Sequence, residues 1–468
     1  MKRLFCLALA FLMLFFALTS CGSSNANGDD SQTTEPSVTT TEAPETEAPV
    51  VLKEYDISKF KIVYGNSLYL ETAKELKSKI KEIFGVDLTF SKTTAYNENK
   101  YEFVIGDTDR EISKKVFYDD YEKYSSHIGV VCDNGHVQIL GTDVNTINSS
   151  IDYLFANAAK EGESNMVIPE VGRLSEKMSY KTSAVPEKAN KSYVRVVTNN
   201  ILVQSGSNSS HQRLIDMLGA YRMMDADVYT LQEVDASWYS VYKLDEALEK
   251  MGYALAPVNA KQKHPDIKDT DNDNPIYYKT DRFELVESGY DIYDTSALED
   301  GTYPVKSYSW ACLKEKSAGK QVVVITTHFV ARVSDKNLSS EQITARSLSY
   351  KTESAKQLAK VFEELQKKYP DAAVIATGDY NSNNTTEAYA IMSEVAISAR
   401  EKCEKKENMD FRTENTVGRK PAKGVSGAID HIFYSKTGVK AKRYETVVSP
   451  YTYAYSDHVP VLLDFILE

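Results

Sequence analysis

Polar residues at the end of an apolar strand are the feature of this sequence that most restricts its fold. The stretch 374–383 reads V-I-A-T-G-D-Y-N-S-N, and its apolar first part predicts a buried strand that breaks at Gly378. Asp379 and Asn381 are two positions apart, so their side chains project to the same side of an extended backbone. Polar groups at such strand ends commonly form the sites of α/β proteins. A turn rich in Asp, Asn and Gly that only closes the strand is the structural alternative.

The same pattern recurs along the C-terminal half of the chain, where several apolar segments each end in polar residues. In chain order these residues are Asn200, Glu233, His328, Asp379 with Asn381, Asp430, and Asp457 with His458. Apolar residues at helical spacing predict an amphipathic helix over 211–224 and a long helix over 345–368. Strands alternating with helices predict an α/β fold, so we expect these strand ends to lie near one another.

Six short motifs make the pattern specific. They read T-N-N-I-L, L-Q-E-V, T-T-H-F, T-G-D-Y-N-S, A-I-D-H-I-F and Y-S-D-H-V-P-V. In this order they resemble the motif series of the endonuclease/exonuclease/phosphatase family, which includes deoxyribonuclease-I-like nucleases, bacterial sphingomyelinases and inositol-polyphosphate phosphatases. The resemblance covers nearly all of residues 190–468. It implies a C-terminal four-layer α/β/β/α sandwich that hydrolyses phosphate esters with a divalent metal.

The resemblance implies how metal and phosphate are held. Glu233 matches the metal-ligand glutamate, and Asp457 matches an acidic residue that adds to the metal site. Asn200 and Asn381 match the amides that position phosphate oxygens or metal-bound water. Carboxylate oxygens are hard donors suited to Mg²⁺, with Mn²⁺ or Ca²⁺ as alternatives.

The resemblance also implies the proton-transfer groups. Asp379 matches the carboxylate that orients the attacking water, and Asp430 with His458 matches a carboxylate–imidazole dyad. His328 matches a second histidine that stabilises or protonates the leaving side. Such groups are what the reaction needs, because the anionic oxygens of a phosphate ester repel a nucleophile until their charge is offset.

Some positions depart from the family pattern. Tyr380 stands where phenylalanine is usual, and His431 where tyrosine is common. An arginine common before the strand that holds Trp310 is missing from 302–313, so the resemblance does not supply that phosphate contact. The alternating aspartates 269, 271 and 273 lack the glycine and terminal glutamate of a calcium loop, which predicts a solvated loop over the site.

The N-terminus reads as a processing signal. Lys2 and Arg3 precede an apolar run over 4–18, and L-T-S-C ending at Cys21 resembles the lipobox of bacterial lipoproteins. We therefore expect a signal peptide over 1–20, a lipidated Cys21, and an extracytoplasmic protein anchored to the bacterial membrane. An ordinary secretory signal is the alternative. Residues 21–50, rich in Ser, Thr, Glu and Pro, predict a disordered tether.

Residues 51–176 predict a smaller accessory α/β domain ahead of the catalytic one. Their strand and helix patterns come without paired carboxylates, a nucleophile beside a base, or a glycine-rich phosphate loop. We therefore expect residues from about 192 onward to fold and act alone. Cys132, Cys312 and Cys403 are an odd number without metal-ligand spacing, which predicts neither a disulfide framework nor a zinc site.

The predicted function is that of a metal-dependent phosphoesterase whose substrate is nucleic acid, phospholipid or a small phosphoester. Nucleic-acid binding requires many cationic contacts to phosphates, whereas the chain carries a formal net charge of −12 at pH 7. The charge and the predicted tether favour a sphingomyelinase-like or small-phosphoester hydrolase. A non-catalytic surface-binding lipoprotein with a degenerate phosphoesterase domain is the competing interpretation.

Overall fold

The computed structural model describes residues 50–468 except 66–68, 94–97, 121–123, 125–126, 142–143, 160–164, 178–191, 207–208, 259–272, 300, 302 and 450–451. The predicted signal peptide, Cys21 and nearly all of the predicted tether lie outside the described residues, as does almost all of the predicted domain boundary. Within the described ranges, no helix is both long and apolar enough to cross a bilayer.

The N-terminal α/β region, residues 52–177, is built on a six-stranded sheet with the order β3-β2-β4-β6-β5-β8, beside a β1–β7 pair. Its strands are β1 Leu52–Asp56, β2 Lys61–Tyr64, β3 Phe90–Lys92, β4 Glu102–Ile105, β5 His127–Asp133, β6 His136–Ile139, β7 Asn165–Pro169 and β8 Val171–Lys177. Its helices are α1 Leu70–Phe84, α2 Glu111–Lys114, which continues into a π-helical turn Lys115–Asp119, and α3 Val144–Ala158. Strands β5 and β6 pair antiparallel and form a hairpin around residues 133–135.

The C-terminal region contains two further sheets. Their strand orders are β11-β12-β10-β9-β21-β20-β18 and β13-β14-β15-β16-β19-β17. The strands are β9 Val194–Asn200, β10 Val228–Gln232, β11 Tyr253–Leu255, β12 Ile276–Lys279, β13 Phe283–Ile292, β14 Ser307–Glu315, β15 Gln321–His328, β16 Ala373–Asp379, β17 Ile397–Ser398, β18 Lys405–Glu407, β19 Asp430–Tyr434, β20 Val439–Thr446 and β21 Val461–Leu467. The helices are α4 His211–Met224, α5 Ala236–Ser240, α6 Leu244–Lys250, α7 Ser340–Lys368, α8 Glu387–Val395 and α9 Ala399–Lys402.

The two C-terminal sheets pack face to face between helices. Along β15, Val322 and Val324 join the apolar core shared by both sheets, whereas Val323 and Ile325 join the core under α7. This alternation follows from the two-residue period of a strand whose two faces are both covered. On the other sheet, α4 packs over the outer side. The predicted four-layer α/β/β/α sandwich is confirmed.

The layer between the sheets becomes polar beneath the ends of the central strands. Gln232 Nε2 donates to Thr326 Oγ1 of the opposite sheet at 2.9 Å, and Thr377 Oγ1 donates to Thr230 Oγ1 at 2.8 Å. All four side chains are buried. The two sheets are therefore hydrogen-bonded to each other at the end of the sandwich where the polar strand ends converge.

Two helices differ from their predicted form. The long helix α7 begins at Ser340 instead of 345, because Ser339 and Gln342 form a reciprocal capping box at its start. Helix α4 has its predicted bounds, but every residue in it except Arg222 is buried. Its apolar residues share one core with Val116 and Phe117 of the N-terminal α/β region. The helix is thus covered on a second side, which its own periodicity does not reveal.

Candidate active site

Strand register brings the predicted site residues to one edge of the sandwich. In one sheet, His328 lies opposite Asp379, and Asp379 lies opposite Asp430 on its other side. In the other sheet, Asn200 lies opposite Gln232, the residue just before Glu233. Because these positions lie at the first or last residues of their strands on the same edge, their side chains meet in the space beyond the sheets.

Asn200 joins the two halves of the site. Its Nδ2 atom donates to Glu233 Oε1 at 2.9 Å and to Asp379 Oδ2 at 3.2 Å. Its own Oδ1 atom accepts from the main-chain N–H of Leu202 at 3.0 Å. The amide of Asn200 therefore holds one carboxylate from each sheet.

The backbone is strained at the same place. Leu202, Glu233 and Asn381 have φ angles of 59°, 61° and 46°, in the left-handed region that side chains other than glycine rarely adopt. Such conformations persist only where surrounding contacts hold them, and they cluster at functional sites. The main-chain N–H of Val203 donates to Glu233 Oε2 at 3.3 Å and is one such contact.

Asp430 and His458 form a buried, hydrogen-bonded pair. His458 Nδ1 lies 2.9 Å from Asp430 Oδ2, and His458 Nε2 lies 3.8 Å from Asp379 Oδ2. Burial by itself lowers the pKa of His458, but the carboxylates of Asp430 and Asp379 outweigh it and raise that pKa well above its usual value. The two carboxylates therefore favour the protonated form of His458.

The pKa of His328 is shifted in the opposite direction. Its Nε2 atom lies 3.7 Å from Asp379 Oδ2 and 3.9 Å from Glu233 Oε1. Burial and the positive charges of Lys306 and His458 lower the pKa of His328 well below its usual value. Lys306 Nζ contacts His328 Nδ1 at 3.1 Å. Since an ammonium group can only donate, Nδ1 is the acceptor and the ring proton sits on Nε2, facing the carboxylates.

Asp379 is at the centre of the site. Burial and the charge of Asp430, partly offset by His458, raise the pKa of Asp379 to about 7. Its Oδ1 atom accepts from the main-chain N–H of Asn381 at 2.8 Å. The side chain of Asn381 donates to the carbonyl of Phe329 at 3.0 Å, which fixes it beside the same carboxylate. A carboxylate with a pKa near neutrality can take up a proton during a reaction.

Two sets of side chains fit a divalent cation. Asp457 is half-buried, and its Oδ1 atom is a buried oxygen that no hydrogen-bond donor among the described residues satisfies. Burial raises the pKa of Asp457, and the charge of Glu233 adds to the rise against that of His458. A cation between Glu233 and Asp457 would give the buried Oδ1 atom of Asp457 a partner and would offset the repulsion between the two carboxylates.

The second set differs from the predicted ligands. Ligand atoms of Asp379, Asp430 and His458 all lie within 4.8 Å of one another, and Asp430 Oδ1 is also buried without a hydrogen bond from the part of the chain that the structure describes. Two of these residues already bond to each other, which explains their proximity without a cation. Metal binding by Glu233 and Asp457 stays a prediction, and so do the individual catalytic roles.

Sequence reasoning missed three residues that face the site. Lys306 lies within the segment 302–313 in which an arginine was sought, and burial lowers its pKa. Lys351, on α7, donates to the main-chain carbonyl of Asn381 at 2.7 Å. Asp273 is half-buried and accepts from Ser307 Oγ at 2.7 Å. The prediction of a solvated loop is therefore wrong for Asp273, while positions 269 and 271 lie outside the described residues.

The chain matches several solved structures, and each match covers almost the whole length of the solved chain. An endonuclease/exonuclease/phosphatase family protein from Bacteroides thetaiotaomicron is 22% identical, covers 59% of this chain and 98% of its own, and has a TM-score of 0.46. A mannosyl-6-phosphatase from the same organism is 22% identical, with coverages of 58% and 100% and a TM-score of 0.47. The human Nocturnin catalytic domain is 18% identical, with coverages of 60% and 96% and a TM-score of 0.43.

Sequence comparison identifies the family. No curated protein matches the chain. A sequence profile of the Endonuclease/Exonuclease/phosphatase family matches residues 200–458, which is more than half of the chain and spans every strand-end residue described above. The chain belongs to the Endonuclease/Exonuclease/phosphatase family.

Proposed function

We propose that this protein is a divalent-metal-dependent hydrolase of phosphate esters. The observation that carries the proposal is the arrangement around Asp379. A carboxylate whose pKa is about 7 lies within 4 Å of two buried histidines whose pKa values are shifted in opposite directions. One histidine is held by Asp430, and the other contacts a lysine. Proton acceptor, cationic donor and neutral donor thus converge on one space, as the transfer of a phosphoryl group to water requires.

Glu233 and Asp457 would hold the cation. A divalent cation bound there would offset negative charge on the phosphate of the substrate. The imidazolium of His458 would add a second positive charge, and Asp430 keeps that ring protonated and fixed in orientation. The amides of Asn200 and Asn381 position the carboxylate of Asp379.

Proton transfer follows from the same geometry. Asp379 accepts a proton from the attacking water, because its raised pKa makes it a stronger base than an exposed aspartate. His328 carries its proton on Nε2 and donates a hydrogen bond to the oxygen that leaves, which stabilises the negative charge on that oxygen until solvent protonates it. Lys306, in contact with the other ring nitrogen, holds His328 in that tautomer.

The substrate we favour is a phospholipid headgroup or another small phosphoester. Lys306 and Lys351 supply positive charge at the site, which is enough for one phosphate group. Proteins that track a nucleic-acid backbone need a row of such contacts, and the chain as a whole carries a formal net charge of −12.

We also propose that the protein works outside the cytoplasmic membrane, tethered by lipid on Cys21. The support is the sequence of residues 1–21, a basic start, an apolar run and L-T-S-C. Cell fractionation of a Cys21→Ala variant tests it. Release of soluble or unprocessed protein is the expected result, and unchanged membrane retention would contradict it.

Hydrolysis of a generic ester tests the proposed activity. Purified protein should cleave bis-p-nitrophenyl phosphate or p-nitrophenyl phosphate, lose the activity in EDTA and regain it with Mg²⁺, Mn²⁺ or Ca²⁺. Comparison of DNA, phospholipid and sugar-phosphate substrates then separates the substrate classes. A folded protein that cleaves none of these esters with any metal would favour the non-catalytic binding protein instead.

A further inference from the structure

One buried arginine connects two segments that carry site residues. Arg213, on α4, donates through Nη1 to the carbonyl of Val203 at 3.1 Å and through Nη2 to that of Leu202 at 2.8 Å, and it also bonds the carbonyl of Ile201. These carbonyls follow Asn200 directly. Its Nε atom donates to the carbonyl of Tyr455 at 2.6 Å, two residues before Asp457.

These bonds hold a strained segment in place. Leu202 adopts the left-handed conformation, which costs free energy that its surroundings must offset. Its carbonyl accepts from both Arg213 and the indole Nε1 of Trp238, the latter at 3.0 Å. The guanidinium of Arg213 in turn lies 5.3 Å from the centre of the Trp238 ring. A planar group with five spread donors can reach carbonyls of two separate segments at once, whereas the three donors of a lysine lie on a single nitrogen atom.

The N-terminal α/β region contacts the two residues that precede this arginine. Gln212 Nε2 donates to the carbonyl of Gly141 at 3.3 Å. The main-chain N–H of His211 donates to the carboxylate of Asp107. Beside these polar contacts, Phe117 belongs to the same apolar core as the α4 side chains. The first turn of α4 is therefore fixed from the N-terminal side.

We propose that the N-terminal α/β region is part of the catalytic unit and acts through α4. Its contacts set the position of the first turn of this helix. That turn fixes the position of Arg213, and the hydrogen bonds of Arg213 fix the positions of the segments that carry Asn200 and Asp457. Arg213 is thus a positioning residue, and the N-terminal region presents an intramolecular docking surface for α4. The expected effect on kcat rests on the proposed function. The expected effect on the positions of the two segments rests on the hydrogen bonds alone.

A pair of matched substitutions in the full-length chain separates this effect from general destabilisation. Phe117→Leu trims a side chain in the core shared with α4, whereas Phe103→Leu trims one in the separate core of the N-terminal region. Arg213→Lys removes the planar donor while retaining the charge. Hydrogen exchange of peptides covering 200–206 and 452–460, measured well below the unfolding temperature, reports on the two segments without any need for activity.

We expect faster exchange of both peptides in Phe117→Leu and Arg213→Lys and no change in Phe103→Leu. The kcat of ester hydrolysis should fall about tenfold or more in the first two variants with little change in KM, because small misplacements of reacting groups are costly. Equal exchange in Phe117→Leu and Phe103→Leu would overturn the proposal. If Arg213→Lys does not fold, Gln212→Ala replaces it, since it removes the contact with Gly141.

The two proposals fail in different ways. A wild-type protein that hydrolyses no ester refutes the proposed function, and the exchange of the two peptides then decides the positioning proposal. An active protein whose kcat and exchange are unaffected by Phe117→Leu refutes the positioning proposal and leaves the proposed function standing.

Discussion

Replacing Asp430 by asparagine should expose how far Asp430 and His458 act as one unit. Both side chains are buried, and the hydrogen bond between them is 2.9 Å long. Asparagine has almost the same shape and keeps an oxygen that can accept from Nδ1–H, so packing changes little. The charge is lost, however, and with it the largest influence that raises the pKa of His458.

The size of the effect follows from the kind of bond. A hydrogen bond to a charged group contributes about 1.5–3 kcal/mol, and each 1.36 kcal/mol corresponds to a factor of ten in rate. Asp430→Asn should therefore lower kcat by about 10- to 150-fold. His458→Ala removes the ring altogether, and the loss of one group that stabilises developing charge costs about 10² to 10³ in kcat. If Asp430 acts only through His458, the double variant should be no more than about threefold slower than His458→Ala alone.

The assay is steady-state hydrolysis of a p-nitrophenyl ester at saturating metal, with kcat and KM determined separately. Asp227→Asn provides the matched control, since this buried carboxylate accepts from the N–H of Arg195 at 2.7 Å at the opposite end of the strands. Asp227→Asn should lower stability. Its small effect on kcat should be independent of His458→Ala, so the loss of kcat in the double variant should equal the product of the two single losses. The dyad would be refuted if the loss of kcat in the Asp430→Asn/His458→Ala double variant also equalled the product of the two single losses. An Asp430→Asn variant with nearly wild-type kcat would refute it as well.

Three further outcomes are expected. Glu233→Ala should raise the Mg²⁺ concentration needed for half-maximal rate by tenfold or more, because it removes a carboxylate ligand; a metal titration with an unchanged midpoint would assign the cation elsewhere. Lys306→Met should lower kcat/KM for an anionic ester about tenfold, since it removes the cation next to His328, and kcat/KM at two ionic strengths checks this; an unchanged value would exclude a role in binding. Burial raises the pKa of Asp107 to about 6 and lowers that of His211 to about 4. Between pH 6.5 and 4 the folded state therefore takes up a proton at Asp107, which stabilises the fold, whereas the unfolded state takes up a proton at His211, which destabilises it. Asp107→Asn removes the stabilising effect and keeps the effect of His211. Urea unfolding of this variant should therefore show the free energy of unfolding falling by about 2 kcal/mol between pH 7 and 4.5, a fall that the wild type largely lacks.

Much of the fold and the location of the site could be predicted from local sequence. A strand such as β16 is an uninterrupted apolar run, and the polar residues at its end have no place in a core. Sheet topology then brings the ends of different strands to one edge, which is why Asn200, Glu233, His328 and Asp379 lie together. The order of six motifs supplied the long-range information that any single motif lacks.

The remaining features depend on contacts between distant parts of the chain. Helix α4 shows only a weak apolar stripe because two sides of it are covered, one of them by a region more than 70 residues earlier, as the bond between Gln212 and Gly141 shows. Arg213 binds main-chain carbonyls, which leave no mark in the sequence. Lys306 lies in the segment 302–313 that lacks the family's arginine, and the presence of another cation in that segment was the available signal.

The polar layer between the two sheets has a consequence for how this sandwich resists shear and how its sequence can drift. Apolar faces still pack after a small slide, whereas the hydrogen bonds made by Gln232 and Thr377 weaken steeply when their geometry changes. The two halves of the site belong to different sheets, so resistance to sliding keeps the halves aligned. Such bonds add little net stability over apolar groups of the same shape. Their positions must therefore change together during divergence, and a chimera that takes each sheet from a different relative should lose turnover before it loses its fold.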